Sequence, residues 1–482
     1  MKLGQTSAIH FVSNVVASIL SFVAVILFAR ILGADILGQY YLVLALLAWL
    51  KIGGRIGVSS ALIKRLSEGS EKGEYTAAGA ILILMLFVIL ALGILAFDGY
   101  VNDYVGTEVA LLLVFMLFST QIYSFFSAVL KGNHLVHISG VLAPIRITIR
   151  SLLQIGAVIA GLGLAGLLAG YAIGWIVAGA VALVVLVPSF SLPSKRHFMS
   201  LFEYAKYAWL GMVQSRTFNW IDVIVLGFFV PTGQIGVYSV AWSIAVFLLK
   251  FSHSVSSSIF PEISQLASEG KKHEVARILD SAIAYTGLIL IPGLVGGLLL
   301  SDRLLRIYGE EFSMGSVVLV VLIVGVLIYS YQKPLLTTVN GLDRPDIAFR
   351  VNAVFVVTNI ILNVTLIYLY GLIGAAIATA LSAAISLALA YYYLSSLVDF
   401  TVPYVEIARQ WIAALLMGGV VYGGLWIENT YRLLAHNFAT VIILVGIGAG
   451  VYFLALLAIS AQFRRTVSDN LPIDGPLLTG RA

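Results

Sequence analysis

The sequence has no cysteine and very little charge. Only 11% of its 482 residues are charged, whereas 60% are hydrophobic, and the mean hydropathy is +1.02. Without cysteine the chain cannot form disulfides, thiolate metal sites or a cysteine nucleophile. Soluble proteins are about 45–50% apolar and about 25% charged. The excess of apolar surface therefore excludes a soluble enzyme, and the scarcity of charge excludes a disordered chain.

The apolar residues form long continuous runs of about 20 residues, the length of a transmembrane helix. The strands of an outer-membrane barrel would instead alternate polar and apolar residues. The sequence therefore predicts an all-α integral membrane protein with about fourteen transmembrane helices. The predicted spans are residues 8–32, 36–58, 76–97, 109–130, 138–160, 164–187, 207–229, 236–260, 281–300, 316–333, 349–369, 372–396, 408–427 and 438–461.

The basic residues lie almost entirely on one side of these predicted helices. Of the 28 Lys and Arg residues, all but Arg30, Arg303, Arg306 and Arg432 fall on the same side as both termini. Basic loops such as residues 51–72 stay in the cytoplasm. The pattern therefore predicts a multi-pass protein of the cytoplasmic membrane with both termini cytoplasmic.

The two halves of the chain resemble each other. The tetrapeptide GQYY at 38–41 matches GVYS at 236–239, and GLAG at 163–166 matches GLIG at 371–374. The tripeptide KGN at 131–133 also matches NGL at 340–342. The offsets, 198 to 209 residues, predict two six-helix bundles of the same order, a design that lets the lobes of a transporter rock about a central site. The predicted domains are an N-terminal lobe 1–195, a C-terminal lobe 200–397, additional helices 404–461 and a cytoplasmic tail 462–482.

Several short motifs, in order along the chain, resemble the polysaccharide flippases, the Wzx or RfbX-like branch of the multidrug/oligosaccharidyl-lipid/polysaccharide (MOP) exporter superfamily, which shares the MATE-like fold. The resemblance extends from about residue 8 to residue 396. The motifs are ARILGADILGQY at 29–40, IFPEIS at 259–264, IYGEEF at 307–312, NGLDRP at 340–345, NIILN at 359–363 and YGLIGAAIAT at 370–379.

This resemblance implies that the protein flips a lipid-linked oligosaccharide, carried on polyprenyl phosphate or pyrophosphate, across the cytoplasmic membrane by alternating access. The sugar head would pass through a cationic cavity during the synthesis of a surface glycan. One alternative is a MATE-like multidrug or cation antiporter, which favours acidic groups in its cavity. A second alternative is an integral-membrane glycan polymerase or ligase, which is expected to have a large outer loop.

Charged side chains at membrane depth are candidate functional groups because their burial in lipid is expensive. Arg55 lies between glycines in the segment Gly53–Gly57, which leaves its guanidinium free to bind a phosphate. Lys250 and His253 share one face of the eighth predicted helix. The alternative for each cation is an interfacial anchor whose charged end reaches the membrane surface, and for His253 a packing role. The predicted substrate-binding cations are Arg30, Arg55, Arg146, Arg150, Lys250 and His253.

Asp222 is the only acidic residue well inside a predicted span, where a lone carboxylate must protonate or pair. It is a candidate for coupling to H⁺ or Na⁺ or for a structural charge pair, with Arg216 nearby on the same helix. Asp35 is the candidate partner of Arg30. Two energy sources remain open: an H⁺ or Na⁺ gradient, or consumption of the product outside the cell.

The remaining sequence features favour a transporter over an enzyme. No phosphate-binding loop or paired-histidine metal motif occurs, so no metal or other cofactor is expected. The glycines Gly166, Gly170 and Gly174 form a ridge of small residues that predicts close helix packing within one lobe, or alternatively a dimer face. The expected partners of a monomeric protein are the lipid-linked oligosaccharide, membrane lipids and glycan-assembly enzymes, without nucleic acid.

Overall fold

The computed structural model describes residues 3–470 apart from 56, 187, 209 and 435, with the side chains of 3–16, 206–212 and 470 left out. All regular elements of the described residues are helical, which confirms the predicted all-α class. The chain forms two compact units, residues 1–236 and 237–482. The first unit contains α1 (Leu3–Gly53), α2 (Val58–Ser67), α3 (Lys72–Ala96), α4 (Asp98–Val105), α5 (Ala110–Gly132), α6 (Val136–Ile159), α7 (Gly163–Val185), α8 (Lys195–Ala208) and α9 (Leu210–Phe229).

The helix α10 (Thr232–Ser268) begins in the first unit and continues into the second. The second unit also contains a 3₁₀ turn at Glu310–Gly315. Its other helices are α11 (Lys272–Arg306), α12 (Ser316–Gly341), α13 (Pro345–Ser395), α14 (Tyr404–Tyr431), α15 (Asn437–Ile459) and α16 (Ala461–Asn470). The predicted lobe boundary at 195–200 thus differs from the boundary of the compact units, because α8 packs against α2 and α9 against α1. The predicted domain limits therefore stay a prediction, and the end of the predicted tail lies outside the described residues.

Within the described part of the chain, eleven helices are long and apolar enough to cross a membrane. Two of them, α1 and α13, have 51 residues each and would be about 76 Å long at 1.5 Å per residue. The hydrocarbon core is about 30 Å thick, so each is long enough for two of the predicted spans. The predicted span 207–229 corresponds to α9. Every predicted span thus has a helix, while the exact number of fourteen crossings stays a prediction.

A glycine interrupts each of the two longest helices between the predicted spans. Gly33 has φ 79° and ψ 176° within α1, and Gly371 has φ 56° and ψ −131° within α13. Such left-handed conformations cost a residue with a Cβ much more than glycine. The equivalent of Gly371 in the repeat, Gly163, also has a positive φ of 51°, at the start of α7. The paired GLAG and GLIG motifs therefore occupy similar turns, as an internal repeat requires.

The glycine ridge of α7 determines how closely α7 packs against α6. A Cβ at Gly166 would press on Ala157, one at Gly170 on Gln154, and one at Gly174 on the backbone and Cβ of Arg150. Small residues let transmembrane helices approach to van der Waals contact. The prediction of packing within one lobe is confirmed, and the close approach brings the polar side chains of α6 beside the aromatic residues of α7.

Candidate functional site

Five basic side chains of the first unit form what we term the N-terminal cation cluster. They come from four separate segments: the end of α1, the break after it, α6 and α9. Lys51 interacts electrostatically with all four of the other members. The members of the N-terminal cation cluster are Lys51, Arg55, Arg146, Arg150 and Arg216.

Aromatic rings from α5 and α7 hold the cluster together. The ammonium of Lys51 lies 4.5 Å and the guanidinium of Arg146 lies 4.0 Å from the ring centroid of Trp175. Arg146 also lies 5.5 Å from the Tyr123 ring, and Arg150 lies 5.6 Å from the Tyr171 ring. Each such cation–π contact contributes about 0.5–2 kcal/mol, the larger values applying where water is excluded. The rings thus stabilise cations that would otherwise repel one another.

Two glutamine side chains fix the polar surroundings of the cluster. Gln121 accepts a hydrogen bond from Arg55 Nε at 3.2 Å and donates to the Gly54 carbonyl at 2.7 Å. Gln154 donates to the Tyr40 hydroxyl at 3.0 Å and to the Leu167 carbonyl at 2.8 Å. Both glutamines are buried. A Cβ at Gly54 would overlap the Gln121 amide, so glycine is required there for this arrangement.

The cluster contains excess positive charge. Among the described residues, none of its five members forms an ion pair with an acidic side chain. Arg150 donates to the Ser21 hydroxyl at 3.2 Å, whereas the Nε atoms of Arg146 and Arg150 are buried and have no hydrogen-bond partner in the part of the chain that the structure describes. Partly desolvated cations without counter-charges are costly. An anion with several oxygen acceptors would relieve both the repulsion and the missing hydrogen bonds.

The second unit carries a smaller group of three cations, of which two are exposed and one is half-buried. Lys250 and His253 lie on an exposed face of α10, and Lys250 lies 5.1 Å from the Phe247 ring centroid. His253 experiences the charge of Lys333, which in turn lies 4.8 Å from the ring of Tyr329. The predicted cation pair of α10 thus has a third basic neighbour from α12.

The structure brings together only some of the predicted site residues. Four of them belong to the N-terminal cation cluster: Arg55, Arg146, Arg150 and Arg216. The sequence indicates Arg216 only as a neighbour of Asp222 on the same helix. Arg30 is exposed on α1. The roles of these residues stay predictions.

The two predicted acidic residues differ in their surroundings. Asp35 is exposed and accepts a hydrogen bond from the Thr232 hydroxyl at 3.1 Å. Asp222 is buried in α9, with 4% of its surface exposed. The described residues contain no group of three or more His, Cys, Asp or Glu side chains arranged for a metal ion. The coupling role of Asp222 stays a prediction.

Sequence reasoning missed Lys51, Gln121 and the aromatic residues of the cluster. The charge pattern counts Lys51 with the cytoplasmic loop 51–72, yet its side chain is half-buried against Trp175. The sequence contains one indication of these rings: Tyr171 and Trp175 lie one turn apart on the helix that carries the glycine ridge. The partners of these rings come from other helices, so their pairing depends on the tertiary structure.

Two solved structures share the fold of this chain. The lipid II flippase MurJ in its inward closed conformation matches with a TM-score of 0.79, 19% sequence identity and coverage of 96% of this chain and 100% of that chain. An inward-facing multidrug resistance MATE transporter matches with a TM-score of 0.62 and 14% identity, over 78% of this chain and 93% of that one. The predicted MATE-like fold is therefore confirmed.

The sequence comparisons show the family. The model of the family described as polysaccharide biosynthesis protein matches residues 3–267, and the MatE model matches residues 209–365. The probable low-salt glycan biosynthesis flippase Agl15 of Haloferax volcanii is 31% identical over 98% of this chain and 99% of its own length. The probable flippase AglR of the same organism is 32% identical over 98% of both chains. The chain belongs to the polysaccharide biosynthesis protein family, as its motifs predicted.

Proposed function

We propose that this protein flips a lipid-linked oligosaccharide across the cytoplasmic membrane for the synthesis of a surface glycan. The observation that carries the proposal is the N-terminal cation cluster, whose excess positive charge suits the phosphate or pyrophosphate that joins lipid and sugar. Its full-length relatives with flippase names, 31% and 32% identical, support the same function. The carrier lipid remains in the bilayer while the cations replace the water that solvated the phosphate.

The decisive experiment measures flipping in liposomes. Wild-type protein is reconstituted with a polyprenyl-diphosphate oligosaccharide carrying a fluorophore that a membrane-impermeant reagent quenches. Arg55→Gln and Arg146→Gln are expected to slow flipping by at least about tenfold, because each removes a charge-assisted phosphate contact worth about 1.5–3 kcal/mol. The matched control is Lys131→Gln, an exposed residue at the end of α5. Flipping at the wild-type rate by both arginine variants would contradict the proposal.

A MATE-like cation antiporter is the second candidate, because the MatE model matches residues 209–365. The N-terminal cation cluster argues against it, since a cationic drug would be repelled by five basic side chains. In the same liposomes a cationic dye should not compete with the lipid-linked oligosaccharide. Competition by the dye, together with dye transport driven by a cation gradient, would favour the antiporter.

We infer further that the protein transports its substrate without altering it. The glycan polymerase or ligase is tested by extracting the lipid-linked oligosaccharide after flipping and determining its mass. An unchanged mass is expected for a transporter. A lengthened glycan or released carrier would identify an enzyme.

We also propose that an H⁺ or Na⁺ gradient drives flipping. The buried carboxyl group of Asp222 supports this proposal. One buried amide on α13 adds to it: in the described part of the chain Asn359 has no partner for either side-chain amide atom, and an amide oxygen is a suitable ligand for a small cation. We expect a monomer that works beside glycan-assembly enzymes in the membrane.

A further inference from the structure

Large apolar side chains are exposed along α8 and in the segment that leads into it. Residues 188–194 precede α8 and have no regular secondary structure, and Leu192 within them is 96% exposed. On α8 itself, Met199 and Phe202 are 51% and 60% exposed, and their spacing of three residues places them on one face. Such a cluster of exposed apolar residues marks an interaction surface. We term Leu192, Met199 and Phe202 the α8 surface.

The opposite face of α8 fixes the helix to the rest of the first unit. His197, Leu201 and Ala205 recur every four residues, and all three are buried. Leu201 and Ala205 belong to the same hydrophobic cluster as the buried residues of α2 and α3. The ring of His197 lies 4.9 Å from the ring of Tyr75 in α3. The α8 surface therefore stays uncovered after α8 has packed against its neighbours.

The two ends of α8 lie at the same level as the ends of two different predicted spans. Tyr75, which contacts the start of α8, directly precedes the predicted span 76–97. Near the other end of α8, a Cβ at Gly57 would lie 2.3 Å from the carbonyl oxygen of Ala205, and Gly57 is at the end of the predicted span 36–58. Both ends belong to the basic side of the protein. The helix therefore runs along the membrane surface instead of crossing the bilayer.

Basic side chains accompany the α8 surface. Lys195 is exposed four residues before Met199, on the same face of α8. The side chain of Arg196 is 67% exposed although it forms an ion pair with Glu71. The sequence of α8 contains three Lys or Arg residues and one acidic residue, Glu203. An anionic lipid leaflet matches both properties, because its headgroups attract the cations and its acyl chains take up the apolar side chains.

We propose that the α8 surface binds anionic phospholipids in the leaflet on the basic side of the protein, which the positive-inside rule predicts to be cytoplasmic. Its three apolar side chains enter the boundary between headgroups and acyl chains, while Lys195 binds the headgroup phosphates. This inference goes beyond the proposed function, because the ligand is a membrane phospholipid and not the transported oligosaccharide. The competing occupant is a soluble protein that covers the same surface from the water side.

Fluorescence quenching by labelled lipids tests this proposal. The chain has no cysteine, so Met199→Cys or Phe202→Cys can carry a single environment-sensitive fluorophore. The full-length protein is placed in nanodiscs whose lipids bear a nitroxide on the upper acyl chain, either phosphatidylcholine alone or with about 30% phosphatidylglycerol. The control is Ser70→Cys, at an exposed position between α2 and α3. Quenching at 199 and 202 is expected to exceed quenching at 70 by about threefold and to be stronger in the anionic nanodiscs.

The charge of Lys195 provides a second measurement. Lys195→Gln is expected to lower the equilibrium constant for insertion by about fivefold in anionic nanodiscs, the effect of one basic residue near an anionic surface, and to leave it unchanged in neutral nanodiscs. Equal quenching at 70, 199 and 202 would mean that the surface faces water or a protein, and would overturn the proposal. Quenching that does not depend on lipid charge would show apolar insertion alone and would also overturn it. Neither measurement requires flipping, so failure of the proposed function would leave this inference standing.

Discussion

At the residue scale, the protein places several basic groups together, without acidic partners among the described residues, and aromatic rings stabilise them there. Trp175 is central, because Lys51 and Arg146 both lie over its ring. A ring face offers attraction without neutralising the charge. The cations therefore remain available for an anionic ligand. A carboxylate partner would compete with that ligand.

Removal of this ring should weaken anion binding. Trp175→Leu is expected to raise the Kd for inorganic diphosphate by about five- to thirtyfold, since two cation–π contacts of about 0.5–1 kcal/mol each are lost. Titration calorimetry of the purified protein measures the effect. The control Trp426→Leu changes an exposed residue of α14 and should leave the Kd unchanged. An equal loss in both variants would contradict the role of the ring.

A second prediction at the residue scale concerns the buried carboxyl group of Asp222. If Asp222 couples flipping to a cation gradient, Asp222→Asn should abolish the acceleration by an imposed Na⁺ or H⁺ gradient, because an amide cannot change its charge. The affinity for diphosphate should stay unchanged. Flipping is compared with and without each gradient, with Asp103→Asn, at an exposed position of α4, as control. Gradient-dependent flipping in Asp222→Asn would reject coupling through this residue.

At the scale of elements, glycines control how the helices turn and approach one another. Gly33 and Gly371 interrupt the two longest helices, and the α7 ridge brings Trp175 to α6. Gly38 in α1 makes a third such contact, with the start of α10. A Cβ at Gly38 would overlap the Thr232 carbonyl oxygen and approach the Gly236 backbone. The position tolerates no larger residue without movement of the backbone.

Gly38→Ala should therefore destabilise the protein by about 1–3 kcal/mol, the usual cost of overpacking. A lower midpoint of thermal unfolding in detergent, measured by static light scattering or tryptophan fluorescence, checks this. Gly93→Ala provides the matched control, because nothing lies within 4 Å of a Cβ at that site in α3 and alanine favours a helix. An unchanged midpoint for Gly38→Ala would show that the contact is not tight.

At the scale of the whole molecule, the segregation of basic residues predicts the orientation in the membrane. Lys271, in the turn between α10 and α11, belongs to the basic side, whereas Met314 lies on the exposed 3₁₀ turn beside the acidic residues Glu310 and Glu311. The positive-inside rule places the first in the cytoplasm and the second outside.

The chain has no cysteine of its own, so single thiols report this orientation directly. An impermeant maleimide added to intact cells should label Met314→Cys and should label Lys271→Cys only after the membrane is opened. Labelling of residue 271 in intact cells would reverse the topology. Labelling of both residues after permeabilisation confirms that each thiol is accessible.

Much of the fold followed from the sequence because membrane helices are specified locally. About 20 apolar residues satisfy their own backbone hydrogen bonds within one helix, so the spans and the family motifs were recognisable. The site was predicted only in part. The cost of charge at membrane depth indicates Arg55, Arg146 and Arg150. The sequence places Lys51 in a loop, because charge alone does not distinguish a surface anchor from a cation that packs on Trp175.

The sequence by itself determined that the chain is an all-α membrane protein with an internal repeat and a flippase-like set of motifs, since composition and periodicity act over short distances. Only the tertiary structure decided that basic residues from four segments lie together, that Lys51 and Arg146 pack on Trp175, and that Gln121 accepts a hydrogen bond from Arg55. Such contacts depend on how closely α6 and α7 approach, which is a property of packed surfaces. That packing therefore determines which of the few charged side chains lie together.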